Sequence, residues 1–322
     1  MKKSVKVIIS LLLAATLCFS FTGCAKVGYI VDGTVKAVKE VKSGEWKNAG
    51  QPAEGEAGTE SADDPAVIDE FAPGTFGGIE FKTIDDVVKC YADAYNKTKA
   101  KKAMFIDEEG KKVEMYAFCD QKEITITDIL VEGKSNAVIN KLIPQLLNAL
   151  YVPTIGGLQP CNAREPEKDV DENNESLMTC RVKADDLVTA NVKDGGDGKI
   201  IITMQPKMVN MSRVGIDEQG RMFTSLNDIG AVVDAVDAFS WASGTTEENC
   251  KVVYKGGTAV ITIDPAIGEI VEAHYDMHVY VNIVHANLSV VHDKSLSATV
   301  DYKCDFPCSK EFFDKVNVHP AG

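Results

Sequence analysis

The sequence predicts an α+β fold, in which long, bent antiparallel strands pack on amphipathic helices, and it leaves open a division into two related lobes. Three observations lead there. The segments 83–99, 135–151 and 225–241 repeat apolar residues at helical spacing. From Glu269 to Phe306 apolar and polar residues alternate over an unusual length for strands. Two helix starts also share one plan, Phe81-Lys82-Thr83-Ile84-Asp85-Asp86 and Phe223-Thr224-Ser225-Leu226-Asn227-Asp228. A duplication would produce that likeness, and so would capping, which selects the same residue types at any helix start.

The chain opens with Lys2, Lys3 and Lys6, followed by the uncharged apolar run Val7 to Phe19 and then Ser20-Phe21-Thr22-Gly23-Cys24. A basic start, a short apolar run and small residues at the end are the three parts of a secretory signal, and the run is too short for an ordinary membrane span. Thr22, Gly23 and Cys24 resemble the lipobox of bacterial lipoproteins, with Phe21 in place of the usual leucine. The resemblance implies that residues 1–23 are a signal peptide. It also implies that Cys24 is lipidated and becomes the first residue of a membrane-anchored extracytoplasmic protein.

Residues 24–75 read as a tether. Ala25 to Asn48 is mixed. From Ala49 to Gly78 the chain is rich in Gly, Pro, Ala, Glu and Asp and carries no basic residue. Such a stretch buries too little apolar surface to offset its ordering entropy. A flexible tether of this length spans about 40 Å and lifts a domain off the membrane. The folded part is expected over 76–316, with lobes at 76–220 and 221–316 if the duplication is real.

Thr83 to Lys99 reads as a helix. Ile84, Val87, Val88, Tyr91 and Tyr95 recur on one side, Thr83 caps the start, and Asp85, Asp86, Lys97 and Lys99 suit the helix dipole. Strands follow at Lys112–Cys119 and Glu123–Val131. Ser135–Tyr151 carries the broadest apolar stripe, interrupted by Pro144, which kinks or divides a helix. Pro153 to Cys161 reads as a turn-rich loop with exposed apolar residues, and Arg164–Ser176 as a solvated acidic loop. Strands are expected at Met178–Lys183, Val188–Val192 and Lys199–Gln205, and a helix at Ser225–Trp241. Gly256-Gly257 joins Lys251–Lys255 to Thr258–Ile263 as a hairpin. In the long strand Glu269–Val291 the apolar phase switches from odd to even near Ile283, so a β-bulge or bend belongs at Ile283–His285. Leu296 to Phe306 alternates with one dry face.

The 322 residues are 45% hydrophobic and 25% charged, as in a soluble globular protein, and the net charge is −14. That charge repels phosphate backbones, so nucleic acid is excluded as a partner. Seven cysteines follow Cys24 and none forms a C-x-x-C. Most read as small buried hydrophobes. Cys161 with Cys180 is the best disulfide alternative, and zinc is disfavoured.

Catalytic signatures are missing: the chain has no G-x-S-x-G and no H-E-x-x-H. Asp169 to Asn173 starts like a calcium loop, which fails at Asn174 and Cys180. Gly133-Lys134-Ser135 lacks the first glycine of a phosphate loop. Glu272, His274, Asp276, His278 and Tyr280 project from one strand face about 7 Å apart. His274, Asp276 and His278 are thus candidate ligands for a divalent metal, with a merely solvated sheet face as the bland alternative. The leading reading is a non-enzymatic module for a small apolar or amphipathic ligand or a cell-envelope component, with no cofactor beyond the Cys24 lipid. Leu142, Leu146, Leu150 and Tyr151, with Ile155 and Leu158 of the following loop, are its candidate contacts. A metal-dependent hydrolase and an adhesive surface protein are the alternatives. The lipobox, acidic tether, Phe-x-[ST]-x-x-Asp helix starts and Ile261–Ile270 hairpin together resemble surface lipoproteins of Gram-positive anaerobes. That resemblance implies an extracytoplasmic module and no particular activity.

Overall fold

The computed structural model describes residues 64–135, 140, 154–224, 239–288 and 291–322. It is mostly β, which corrects the expected α+β packing of strands on helices. The strands are β1 (Gly74–Phe76), β2 (Ile79–Phe81), β3 (Lys102–Ile106), β4 (Lys112–Tyr116), β5 (Asp120–Val131), β6 (Lys134–Ser135), β7 (Ile155–Gly156) and β8 (Leu187–Gly196). They continue with β9 (Lys199–Pro206), β10 (Val209–Asn210), β11 (Phe239–Trp241), β12 (Cys250–Tyr254), β13 (Thr258–Asp264), β14 (Glu269–Leu288), β15 (Val291–Phe306) and β16 (His319–Pro320). The helices are α1 (Ile84–Lys99), α2 (Thr246–Asn249) and α3 (Lys310–Val316). Among the described residues, only α1 is longer than seven residues.

The difference has a physical origin. The apolar stripes of 135–151 and 225–241, half of the α+β argument, lie almost wholly outside the described residues. Stretches read as connections pair instead: β3 joins β4 and β16 in a three-stranded sheet. Phe239–Trp241, expected to end a helix, is β11 and pairs with Ala286–Leu288. Met178–Lys183, expected as a strand, has no ladder partner; the Cys180 amide donates to Asn96 Oδ1 at 2.7 Å.

β14 organises an eleven-stranded sheet of order β6-β5-β15-β14-β13-β9-β8. One edge of β14 pairs with β15 over most of its length. Its other edge takes β13 opposite Glu269–Asp276, β12 opposite Val279–Ile283 and β11 at its tip. The register slips between Ile283 and Ala286, and His285 has φ 54° there, so the phase switch in the sequence marks a real bulge. The sheet also crosses the expected lobe boundary: β9 pairs with β13 and β5 with β15, so strands from both halves form one layer.

α1 lies on one face of this sheet. Val87, Val88, Tyr91, Ala94 and Tyr95 pack with Ile200, Ile202, Ile261, Ala273, Tyr275 and Met277, residues that alternate along their strands. Each fully buried aliphatic or aromatic side chain there contributes about 1.5–3 kcal/mol. Tyr91 and Tyr275 also share a hydroxyl hydrogen bond of 3.3 Å. Thr83 caps α1 in a capping box with Asp86. Thr83→Ala should therefore cost about 1 kcal/mol, read as a lower denaturant midpoint with unchanged m. A second, smaller core of Phe105, Met115, Cys119, Ile155, Phe312 and Val318 joins the three-stranded sheet to α3.

Residues before Phe76 also join the fold. Val67 N donates to Gln205 Oε1 at 2.7 Å, Gln205 Nε2 to the Pro65 carbonyl at 2.9 Å and Asn191 Nδ2 to the Asp69 carbonyl at 2.9 Å. Residues 64–71 are thus tied to β8 and β9, so the end of the expected tether belongs to the fold.

Candidate functional site

Three regions bear on function. The first is the face of the sheet that α1 covers at its proximal end, around Ile270–Met277. On the same face, Ile124 and Ile126 of β5, which lie opposite Tyr302 and Val300 of β15, and, farther along, Val281 and Ile283 of β14 are only half-buried. Ala298 and Leu296 of β15 lie opposite Val281 and Ile283 and are also half-buried. The bulge at Ile283–Ala286 bends the ribbon at this end. Ile124, Ile126, Val281 and Ile283 form a half-buried aliphatic margin packed against the main core.

The second region is the opposite, outward face of β14 and β15, which carries the predicted metal ligands. His274 and His278 stand on either side of Asp276, as the period of two requires. Cross-strand partners engage each of them. His274 Nδ1 lies 2.7 Å from Asp305 Oδ1, His278 Nδ1 lies 2.6 Å from Asp301 Oδ1, and Asp276 lies 3.6 Å from Lys303 Nζ. His285 and Asp293 repeat the pairing at 2.7 Å. Four residues of strand hold His274 and His278 about 13 Å apart, too far to share one ion. Among the described residues no group of three or more His, Cys, Asp or Glu is placed to hold a metal. The ladder is one of cross-strand polar pairs.

Partial burial disfavours the charged form of His274, but Asp305 and, at 3.4 Å, Glu272 outweigh it and raise the imidazole above its ordinary pKa of 6.5. Protonated His274 therefore adds stability that is fully present below pH 6.5 and is lost as pH rises through the raised value. Asp305→Asn should move the His274 titration midpoint downward in an NMR titration.

The third region is the loop after residue 153, which is buried rather than exposed. Leu158 is 0% and Ile155 6% exposed, and they belong to different cores, so these two predicted ligand contacts do not form one surface. Leu142, Leu146, Leu150 and Tyr151 lie outside the described residues, as does Cys24. Gly157 is required because a Cβ there would stand 2.5 Å from the Tyr116 ring. Gln159 Nε2 donates to Asp120 Oδ2 at 2.5 Å, and its Oε1 accepts from Thr224 N at 2.9 Å. Among the described residues Asp120 Oδ1 has no hydrogen-bond partner. Burial raises the Asp120 carboxyl above the ordinary range, against the pull of Lys122 and Gln159.

The acidic loop that follows is not simply solvated. Asp169 and Asp171 are 0% and 4% exposed. Asp169 accepts from Tyr116 Oη at 2.6 Å and Asn162 N at 2.7 Å and pairs with Lys99 Nζ at 3.1 Å. Asp171 pairs with Arg181 at 2.6 Å. These carboxylates are internal struts rather than solvated side chains. Glu132-Gly133 is the turn between β5 and β6, and Lys134-Ser135 is β6 itself, paired with Leu130 and Val131. Cys161 and Cys180 are both free; Cys161 Sγ instead accepts from Gly157 N and faces the Ala163 carbonyl, both at 3.0 Å.

Beside the β8 edge lies an open cleft of about 570 Å³, bordered by Arg181, Val182, Lys183, Ile216 and Arg221. Its two arginines are already committed to Asp171 and Asp186. The cleft was missed from sequence because its walls come from segments some forty residues apart.

No protein-family model matches the chain, and no curated protein and no solved structure matches it. Among the described residues no helix is long and apolar enough to cross a membrane.

Proposed function

We propose that this chain is a lipid-anchored extracytoplasmic protein whose β domain is a non-enzymatic binding module for an apolar or amphipathic ligand. The observation that carries the reading is the half-buried aliphatic surface of β5, β15 and β14, formed by Ile124, Ile126, Val281, Ile283 and Leu296. A long bent ribbon with one dry face costs water-exposed apolar area wherever that face is not fully sealed, and a hydrocarbon ligand removes this cost at about 25 cal/mol per Å². The anchor rests on Lys2, Lys3 and Lys6, the apolar run Val7–Phe19 and Thr22-Gly23-Cys24. Residues 64–71 enter at β8 and β9, the far side of the sheet from β5.

Binding is tested with a fluorescent long-chain fatty acid. The full chain should bind it, and Ile283→Asp should weaken binding at least tenfold while leaving the circular dichroism spectrum unchanged. Equal affinity in the variant would remove this surface as the site. Anchoring is tested separately by labelled palmitate, which should enter the wild-type chain and not Cys24→Ala.

A further inference from the structure

We propose that Cys119 and Cys308 are a disulfide-forming pair that staples the small core to the main sheet. Cys119 immediately precedes β5, and Cys308 lies just beyond β15, the strand that pairs with β5. The Cys308 amide donates to the Cys119 carbonyl at 2.8 Å. Standard bond lengths then place the two Cα atoms no more than about 6.7 Å apart, inside the range that a disulfide spans. Both side chains enter the same core: Cys119 is one of its buried members, and Cys308 packs against it. Their Cβ atoms therefore point to the same side. Cys119 Sγ donates to the Tyr116 carbonyl at 3.2 Å, a weak contact that the disulfide replaces.

Access differs between the two thiols. Cys119 is buried and Cys308 half-exposed. An external disulfide, such as glutathione disulfide or an oxidised thiol oxidoreductase, is the oxidant. The Cys308 thiolate attacks it, forming a mixed disulfide and releasing one thiolate. The Cys119 thiolate then attacks the Cys308 sulfur and releases the second. Two protein thiols are oxidised, one external disulfide is reduced to two thiols, and the two protons pass to the leaving thiolates. Burial pushes both thiols above the ordinary range, so the thiolate is scarce at neutral pH and closure speeds up as pH rises. An extracytoplasmic address would supply such an oxidant, but the chemistry does not depend on that address.

The test incubates the full native chain with glutathione disulfide at mildly alkaline pH, then alkylates and maps peptides without reduction. The expected result is a loss of two hydrogens in mass, one linked peptide joining Cys119 to Cys308, and a thermal midpoint above that of the reduced protein. Cys308→Ala should give no linked peptide and no oxidant-dependent shift. The wild-type map decides the matter even if that variant does not fold. An unchanged thiol count, a glutathione adduct that persists on Cys308 with Cys119 still alkylated, or linkage of another pair would overturn the proposal.

Discussion

Lys99→Met lowers the stability of the domain by about 3–5 kcal/mol, the largest loss expected from a single side chain that touches no ligand. The side chains of Lys99 and Asp169 are both 0% exposed and 3.1 Å apart. Lys99 Nζ also donates to Tyr95 Oη at 2.7 Å, to the Pro160 carbonyl at 2.6 Å and to the Leu177 carbonyl at 2.8 Å. It therefore fastens the end of α1 to both sides of the loop 158–177. Methionine fills most of the volume but leaves a buried carboxylate without its counter-charge and the Pro160 carbonyl without the Lys99 donor, while the Leu177 carbonyl keeps only the longer bond from Tyr95 Oη at 3.4 Å. Adding Asp169→Leu should recover only part of the loss, since the charge problem disappears while the Pro160 carbonyl still lacks the Lys99 donor. Urea midpoints of the two variants measure this directly. A loss below about 1 kcal/mol for Lys99→Met would place the pair at the solvated surface instead.

Gly220→Ala should cost about 3 kcal/mol or more, because the space for a Cβ is taken by backbone. A Cβ there would lie 1.8 Å from the Arg213 carbonyl oxygen and 2.6 Å from its carbon. The turn cannot easily yield. Asp217 accepts from Ser212 Oγ at 2.7 Å, Arg213 N at 2.6 Å and Gly220 N at 2.8 Å, and Gly215 N donates to the Gly220 carbonyl at 2.7 Å. Gly256→Ala is the contrasting case. Nothing lies within 4 Å of its Cβ position, so only the positive φ of 70° opposes the methyl group, at about 1 kcal/mol. Thermal midpoints of the two variants should differ clearly, and equal midpoints would contradict the close approach.

What was legible in the sequence was local. The phase switch near Ile283 located the bulge because alternation reports faces directly. Thr83 with Asp86 marked the start of α1, because capping acts within a few residues, whereas Gly256-Gly257 misled: β12 and β13 run on in the same direction along one edge of β14 and do not pair as a hairpin. What was not legible depends on distant partners. Lys99 looked like a surface charge matched to the helix dipole; its burial follows from Asp169, seventy residues away. Asp169 and Asp171 looked like a solvated acidic run, since charge density says nothing about which carboxylates find buried donors. The loop from Ile155 to Cys161 looked exposed because turn residues usually are, but its apolar side chains fill two cores. The α+β expectation weighed helical periodicity heavily and gave little weight to short strands such as β3, β7 and β11, which exist only by pairing. For the candidate site, the alternation of β14 revealed both faces, whereas the cross-strand aspartates that occupy its histidines could not be read without the register.

The central claim is that the aliphatic surface of β5, β15 and β14 holds a ligand, and native mass spectrometry of the chain from Asp64 onward tests it most directly. The account predicts an additional mass, matching a lipid or another amphipathic molecule, that is lost on denaturation and is absent from Ile283→Asp. A wild-type protein that carries no such mass, and acquires none when offered fatty acids or membrane lipids, would contradict it.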